Sequence, residues 1–315
     1  MKKPAVLIIL VILFFGFLFS LVEGKKIKVG FSQMEYNNPF RIAETNSIRE
    51  EASKRGYELI CTDAKSQITK QIADVKKLVA KGVDYLILAP REYEGLTPAL
   101  KLARKAGIPV ILIDRETAGR PGIDYITIIA SDFIREGERA AAWLVKSTGG
   151  KANIVELTGT IGSSVARDRS LGFRNVIAKY PRMKIITSQS GDFFRTTGEK
   201  VMEGIIQTYG SKIKINAVYA HNDEMAIGAI QALKAAGLTP GKDVILVSID
   251  GERDALKAIV AGELGATVEC SPRFGPKVFD VIERHLRGEK IPFKIVNNDR
   301  FFDINNASDY IESAY

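Results

Sequence analysis

The chain has 315 residues, of which 46% are hydrophobic and 26% charged, the length of two ordinary domains and the composition of a folded protein. Its net charge of +8 comes from lysines and arginines scattered along the sequence. Without a clustered basic face or a recognisable DNA-binding motif, a nucleic-acid partner is not expected. Two histidines and two cysteines, with no paired cysteine motif, argue against a zinc centre, and two thiols make no disulfide framework.

The first 24 residues stand apart. Lys2 and Lys3 precede an uncharged apolar run from Ala5 to Val22, and charge returns at Glu23. This is the charged and apolar succession of an export signal, with cleavage expected after Gly24. The run is 18 residues, near the lower limit of a membrane span, so an uncleaved anchor is the competing expectation. No cysteine follows closely enough to carry a lipid. No second run of this length occurs downstream, and the body of the chain is expected to be soluble.

From Lys26 onwards the sequence alternates. Strands are expected at 27–31, 57–62, 84–89, 109–114, 125–130, 152–158, 183–188, 216–220, 244–250 and 265–270. Helices are expected at 39–55, 67–82, 94–106, 133–148, 163–180, 195–209, 224–236, 252–262 and 273–287. The second helix places Ile68, Ile72, Val75, Leu78 and Val79 on one face. The strands are apolar and β-branched without clean alternation, as parallel strands covered on both faces require. Asn38-Pro39 reads as an N-cap followed by proline at the first helical position, and Gly56, Gly82, Gly107 and Gly237 fall where helices should end. Regular strand–helix succession predicts an α/β fold with doubly wound parallel sheets. A faint echo between 99–114 and 229–250, each a helix ending in Ala-Gly followed by a strand ending in Asp, reads either as two domains on one plan or as the ordinary likeness of any two such units.

Four strands end abruptly in polar residues: Ser32-Gln33, Asp114-Arg115, His221-Asn222-Asp223 and Asp250-Gly251. Ligands of open α/β sheets bind beyond the carboxyl ends of the strands, and carboxylates, an amide and a guanidinium there can hold a polyhydroxylated ligand. Enzyme signatures are missing. The stretch 237–243 lacks the spacing of a phosphate-binding loop, no G-x-G-x-x-G follows the first strand, and no G-x-S-x-G elbow occurs. His221 is read as a hydrogen-bonding or structural histidine rather than a base. Asp114 and Asp250 as a glycosidase pair remain an alternative. Cys61 and Cys270 are read as small buried residues, with a disulfide as the lesser alternative. Asp223 or Glu224 is expected to cap a helix, and Arg167 to be solvated. Phe40 has a bland alternative as a core staple, and Asp250 as a turn residue.

Several segments together carry a resemblance: NNPF (37–40), VILIDR (110–115), GSSVARDRSLGF (162–173), GDFFR (191–195), the run 219–237 and VSIDG (247–251). Over nearly all of 26–315 the chain resembles the periplasmic sugar-binding proteins of ABC transporters, of the ribose/galactose-binding type. It is most similar to the galactofuranose-binding type, through Phe40, Arg41 and Glu44, the stretch 188–193, and Thr267-Val268-Glu269. The resemblance implies a type I periplasmic binding protein: two Rossmann-like lobes joined by three crossing segments, 26–131 with 271–299, and 132–270 with 300–315. It implies stacking of a sugar on Phe40 and Phe193, and hydrogen bonds from Asp114, Arg115, Arg169, Asn222 and Asp250. Arg41 and Glu44, three residues apart on the first helix, are both expected to face the cleft. The ribose type has a second phenylalanine where Arg41 stands and a glutamine where Cys270 stands, and Glu269 is expected to supply the contact Cys270 cannot. The galactofuranose type usually has tryptophan where Phe40 stands.

The implied function is capture of a monosaccharide by hinge closure, outside the cytoplasm, and delivery to a membrane permease with its ATPase. The protein would be a monomer without cofactor, metal or catalysis. A ligand-sensing subunit for a chemoreceptor or sensor kinase is the alternative. A LacI-type repressor would need a helix-turn-helix where the apolar segment stands.

Overall fold

The strands and helices alternate almost as the apolar pattern predicts. The computed structural model describes residues 26–315, so the expected export segment lies outside the described residues. Strands β1 (Lys28–Gln33), β2 (Glu58–Asp63), β3 (Tyr85–Leu88), β4 (Val110–Ile113) and β5 (Thr127–Ala130) are linked by helices α1 (Pro39–Lys54), α2 (Ile68–Ala80) and α3 (Thr97–Lys105). There follow α4 (Phe133–Thr148), β6 (Lys151–Thr158), α5 (Ser164–Ile177), β7 (Arg182–Ser190), α6 (Arg195–Tyr209), β8 (Ala217–Ala220), α7 (Asp223–Ala235), β9 (Ile245–Asp250), α8 (Arg253–Val260) and β10 (Ala266–Glu269). The chain closes with α9 (Gly275–Leu286), β11 (Lys294–Val296), β12 (Phe301–Asp303), α10 (Ala307–Tyr310) and a 3-10 turn at Ile311–Ser313. Among the described residues no helix is long and apolar enough to cross a membrane.

Two six-stranded sheets result, ordered β11-β5-β4-β3-β1-β2 and β12-β10-β9-β8-β6-β7. Within each, the first five strands follow one plan, and every pair is parallel except β10 with β12. The echoing segments noted above lead into β4 and β9, the fourth strands of their sheets, so the likeness follows topological position. Strands β3, β4, β5, β8 and β10 are buried at every residue, which is why their sequences are unbroken runs rather than alternating ones.

Local chemistry sets the element ends. The Asn38 side chain accepts the Arg41 N–H at 2.9 Å, with Pro39 opening α1 behind it. Gly56, Gly82, Gly107 and Gly237 all adopt positive φ just past a helix, as expected. The third helix starts at Thr97 rather than 94, because Gly95 turns at φ 91° and Pro98 fits only the first helical turn.

The short strands β11 and β12 are absent from the sequence reading. Lys294-Ile295-Val296 and Phe301-Phe302-Asp303 are three residues each, too short for an apolar period to register. They join different sheets, so the chain passes between the sheets three times: after β5, after β10 and after β11.

Candidate functional site

In each sheet the order of the first five strands, 2-1-3-4-5 in its own count, opens a crevice beside the first strand. The polar ends of β4, β8 and β9 converge there, whereas Ser32-Gln33 at the close of β1 are buried outside its lining. One cleft is lined by Glu35, Asn38, Phe40, Arg41, Asp114, Arg115, Val165, Arg169, Phe193, Asn222, Asp250 and Cys270. The first six come from around the first sheet, and the next five from around the second.

Charges of opposite sign alternate around the cleft. Arg41 donates to Asp114 at 2.6 Å and to Glu44 at 2.9 Å. Burial alone would lower the Arg41 pKa, but Asp114 and Glu44 outweigh it and hold the guanidinium charged. Opposite, Arg169 donates to Glu136 at 2.8 Å and Asp250 at 3.2 Å, and also to the His221 carbonyl. Burial again opposes the charge, and the two carboxylates overcome it. Burial raises the Asp250 carboxyl well above its ordinary range and brings Glu136 to about 7.

Arg115 differs from the other two. One guanidinium nitrogen reaches the Arg91 carbonyl at 2.6 Å. Its Nε is buried without a hydrogen-bond acceptor among the described residues, the nearest Asp114 oxygen being 3.6 Å away. Burial, then the neighbouring Arg41 charge, lower its pKa to about 10. A buried donor without an acceptor is costly, and a ligand oxygen in the cleft would relieve it.

Two rings face the same space. Phe40 lies beneath the Arg41 guanidinium, 5.0 Å from its centroid. Phe193 carries Arg115 at 5.1 Å and Arg169 at 5.9 Å. Room for the Phe193 ring exists because residue 159 is glycine: a Cβ there would fall 1.8 Å from the ring. Phe193 itself sits at φ 64°, Asp114 at φ 61° and Asp250 at φ 134°. Such backbone angles in non-glycine residues cost about 1–3 kcal/mol each and concentrate where side chains are aimed for a purpose.

Of the ten residues singled out from the sequence, eight line the cleft: Phe40, Arg41, Asp114, Arg115, Arg169, Phe193, Asn222 and Asp250. Two stand behind it. Glu44 is fully buried: one carboxylate oxygen takes hydrogen bonds from both Gln33 and Arg41, and the other, Oε1, has no hydrogen-bond partner among the described residues. Glu269 is held by Arg300 through the backbone N–H at 2.8 Å, Nε at 2.8 Å and Nη2 at 2.6 Å. Strand alternation turns Glu269 one way and Cys270 the other, so it is Cys270 that reaches the cleft.

The helix cap is also corrected. Asn222, not Asp223 or Glu224, caps α7 by accepting the Met225 N–H at 3.0 Å, and its amide nitrogen donates to the Phe193 carbonyl at 3.2 Å. Asp223 is buried and collects Ser248, Thr267 and the Glu252 N–H. His221 is fully buried against Glu156 at 3.2 Å, a structural histidine as expected. Arg167 is exposed beside Asp168, as expected. Cys61 and Cys270 are free thiols, Cys61 only half-buried. Among the described residues no cluster of three or more potential ligands could hold a metal ion.

Sequence reading missed Glu35, Asn38 and Glu136. Asn38 was legible only as a cap. Glu136 sits in the first turn of α4, where a glutamate suits the helix start without any partner, and only the close approach of α4 to α5 brings it to Arg169.

Known proteins share this fold. A family model described as a periplasmic binding protein domain matches residues 29–290. The galactofuranose-binding protein YtfQ of Escherichia coli (strain K12) is 44% identical over 88% of this chain and 87% of its own. The crystal structure of a galactofuranose binding protein superposes with a TM-score of 0.89 at 42% identity, covering 91% of this chain and 98% of that one. The periplasmic binding protein component of the arabinose ABC transporter from Shewanella sp. ANA-3, bound to α- and β-L-arabinofuranose, gives a TM-score of 0.87 at 41% identity, covering 91% and 95%.

Proposed function

Because the chain belongs to the periplasmic binding protein family, we propose that it captures a monosaccharide, galactofuranose or a related furanose or pyranose, in the cleft between its two sheets. The observation that carries this reading is the pairing of two phenylalanine rings with three buried guanidiniums and three buried carboxyl groups, Glu35, Asp114 and Asp250, around one cleft. An apolar ring complements the C–H face of a sugar, and charged donors and acceptors suit its hydroxyls, with charge-assisted hydrogen bonds roughly twice as strong as neutral ones.

Phe40 and Phe193 would stack on the sugar. Arg41, Asp114 and Arg115 would hold it from one lobe, and Arg169, Asn222 and Asp250 from the other. Glu44 acts through Arg41. The lobes are proposed as 26–131 with 271–299, and 132–270 with 300–315, consistent with the sheet each strand joins. Binding is without chemistry: sugar bridges the lobes and favours the closed state. The protein would work as a monomer outside the cytoplasm and present the sugar to an ABC permease driven by its ATPase.

Thermal unfolding against galactose (whose solutions contain some furanose), arabinose, ribose, glucose, xylose and inositol tests the reading. A ligand held only by the folded state must raise the midpoint. A rise with one sugar supports capture and names its class; no rise with any of them removes the sugar assignment.

A further inference from the structure

The segment after β12 carries α10 and the 3-10 turn. Its 3-10 turn packs on α8, and Arg253 of that helix fastens it. The Arg253 N–H donates to the Tyr315 carbonyl at 2.9 Å, and its guanidinium to the Ala314 carbonyl at 2.9 Å. From the other side, Arg273, in the segment leading into α9, donates to the Ser313 carbonyl at 2.7 Å. The two arginines leave Tyr315 fixed between the sheets.

Tyr315 then touches both halves of the site. Its ring meets Phe40 edge-on, centroids 6.0 Å apart and planes at 80°. Its hydroxyl reaches the Asp250 carbonyl at 3.4 Å. Phe40 belongs to the start of α1 beside the first sheet, and Asp250 ends β9 in the second. Asp250 is also one of the residues held at positive φ. Tyr315 itself does not line the cleft.

We propose that Tyr315 is a positioning residue that braces the Phe40 ring of one lobe against the Asp250 turn of the other and so favours the closed cleft. This rests on the sugar-capture reading for its effect on affinity, but the brace between lobes does not depend on which ligand is bound. The edge-on ring pair is the larger part: such pairs contribute about 0.5–1.5 kcal/mol, roughly two- to tenfold in an equilibrium. The long hydroxyl contact is the smaller part.

The test uses the full protein and two variants, Tyr315→Leu and Tyr315→Phe, each with two readouts. Stopped-flow binding of the sugar that raises the wild-type midpoint separates association from dissociation. Small-angle scattering with and without that sugar reports lobe closure. For Tyr315→Leu, we expect dissociation about five- to tenfold faster, association within about twofold, and a scattering profile shifted to the open form. For Tyr315→Phe, we expect values within about twofold of wild type, because the ring pair is kept. A Tyr315→Leu protein with a lowered melting midpoint but unchanged dissociation and scattering would make Tyr315 mere packing and overturn the proposal. If no sugar binds the wild type, the capture reading fails by itself, and scattering alone decides the brace: no shift in Tyr315→Leu rejects it.

Discussion

Arg41 and Asp114 meet at 2.6 Å although one lies in the first turn of α1 and the other just beyond β4. Each is buried, and each lines the cleft. The pair therefore ties Phe40, next to Arg41 and proposed to stack on the sugar, to a carboxylate proposed to accept its hydroxyls. Glu44 keeps Arg41 partly compensated if Asp114 is altered. We expect Asp114→Asn to weaken sugar binding about 10- to 100-fold, the loss of a charge-assisted hydrogen bond, with little change in melting midpoint. Asp114→Ala should also lose stability, because Nη2 of the buried Arg41 guanidinium then loses its hydrogen-bond acceptor altogether, whereas asparagine keeps an acceptor oxygen there. Calorimetric titration and thermal unfolding of both variants check this; unchanged affinity in either would remove Asp114 from the site.

The approach of α4 to α5 sets where Arg169 stands. A Cβ at Gly137 would lie 2.2 Å from the Arg169 carbonyl oxygen and 2.8 Å from the Phe173 nitrogen, both backbone atoms that cannot step aside singly. Gly137→Ala should cost about 1–3 kcal/mol and weaken sugar binding as Arg169 leaves Glu136. Gly204→Ala is the control: no atom lies within 4 Å of its new Cβ, and alanine in a helix should be neutral or stabilising by up to about 1 kcal/mol. Denaturant unfolding of the two variants should move in opposite directions.

Cys270 gives the cleft a chemical reporter. Burial raises the thiols of both Cys270 and Cys61, so both should react slowly with iodoacetamide at neutral pH. Sugar should slow Cys270 further by about tenfold or more, through cover by the ligand and the closed lobes, and leave Cys61 on β2 unaffected. Mass spectrometry of the two peptides over time reads both rates. Equal slowing of both thiols would mean a global change rather than occupation of the cleft.

Glu156 and His221 predict the acid limit of stability. Burial would raise Glu156, but its hydrogen bond and charge interaction with His221, and its bond from Ser170, hold it down to about 2. Burial lowers the His221 pKa below 6.5. Both values are depressed by folding, so both groups stabilise above their unfolded values and lose that contribution as pH falls: His221 below 6.5, Glu156 from 4.5 towards 2. Glu136, raised to about 7, acts with the opposite sign, losing stability as pH rises from 4.5. Subtracting the melting curve of Glu156→Gln from that of wild type cancels Glu136. The difference should be largest near neutrality and shrink as pH drops below 4.5; a pH-independent difference would refute this account.

The strand-end residues were legible because a parallel strand is an unbroken apolar run, and a carboxylate at its close has nowhere to go but the crevice. Asp114 and Asp250 were found that way. The helix termini were legible because Asn38, Pro39 and Gly107 have few other places to stand. Glu269 misled because a single residue of register turns a side chain to the opposite face, and the sequence does not reveal that Arg300 waits there. Glu136 and Tyr315 were silent because each acts through a partner distant in sequence. The positive φ of Phe193 was silent too, since nothing about a phenylalanine announces a left-handed backbone; Gly159, which makes room for its ring, was the one trace of it.

The return of the chain to both sheets bears on the order of folding. Residues 28–130 supply five strands of the first sheet, and residues 151–269 five of the second, yet each waits for its sixth until 294–303. Closing so long a loop adds little to the equilibrium cost, since the entropy grows only with the logarithm of length, but it delays completion. Until then β5 and β10 are bare edges, open to pairing with a second chain. One short stretch therefore seals both sheets at once, and a chain cut before residue 294 should aggregate through two surfaces rather than lose a tail.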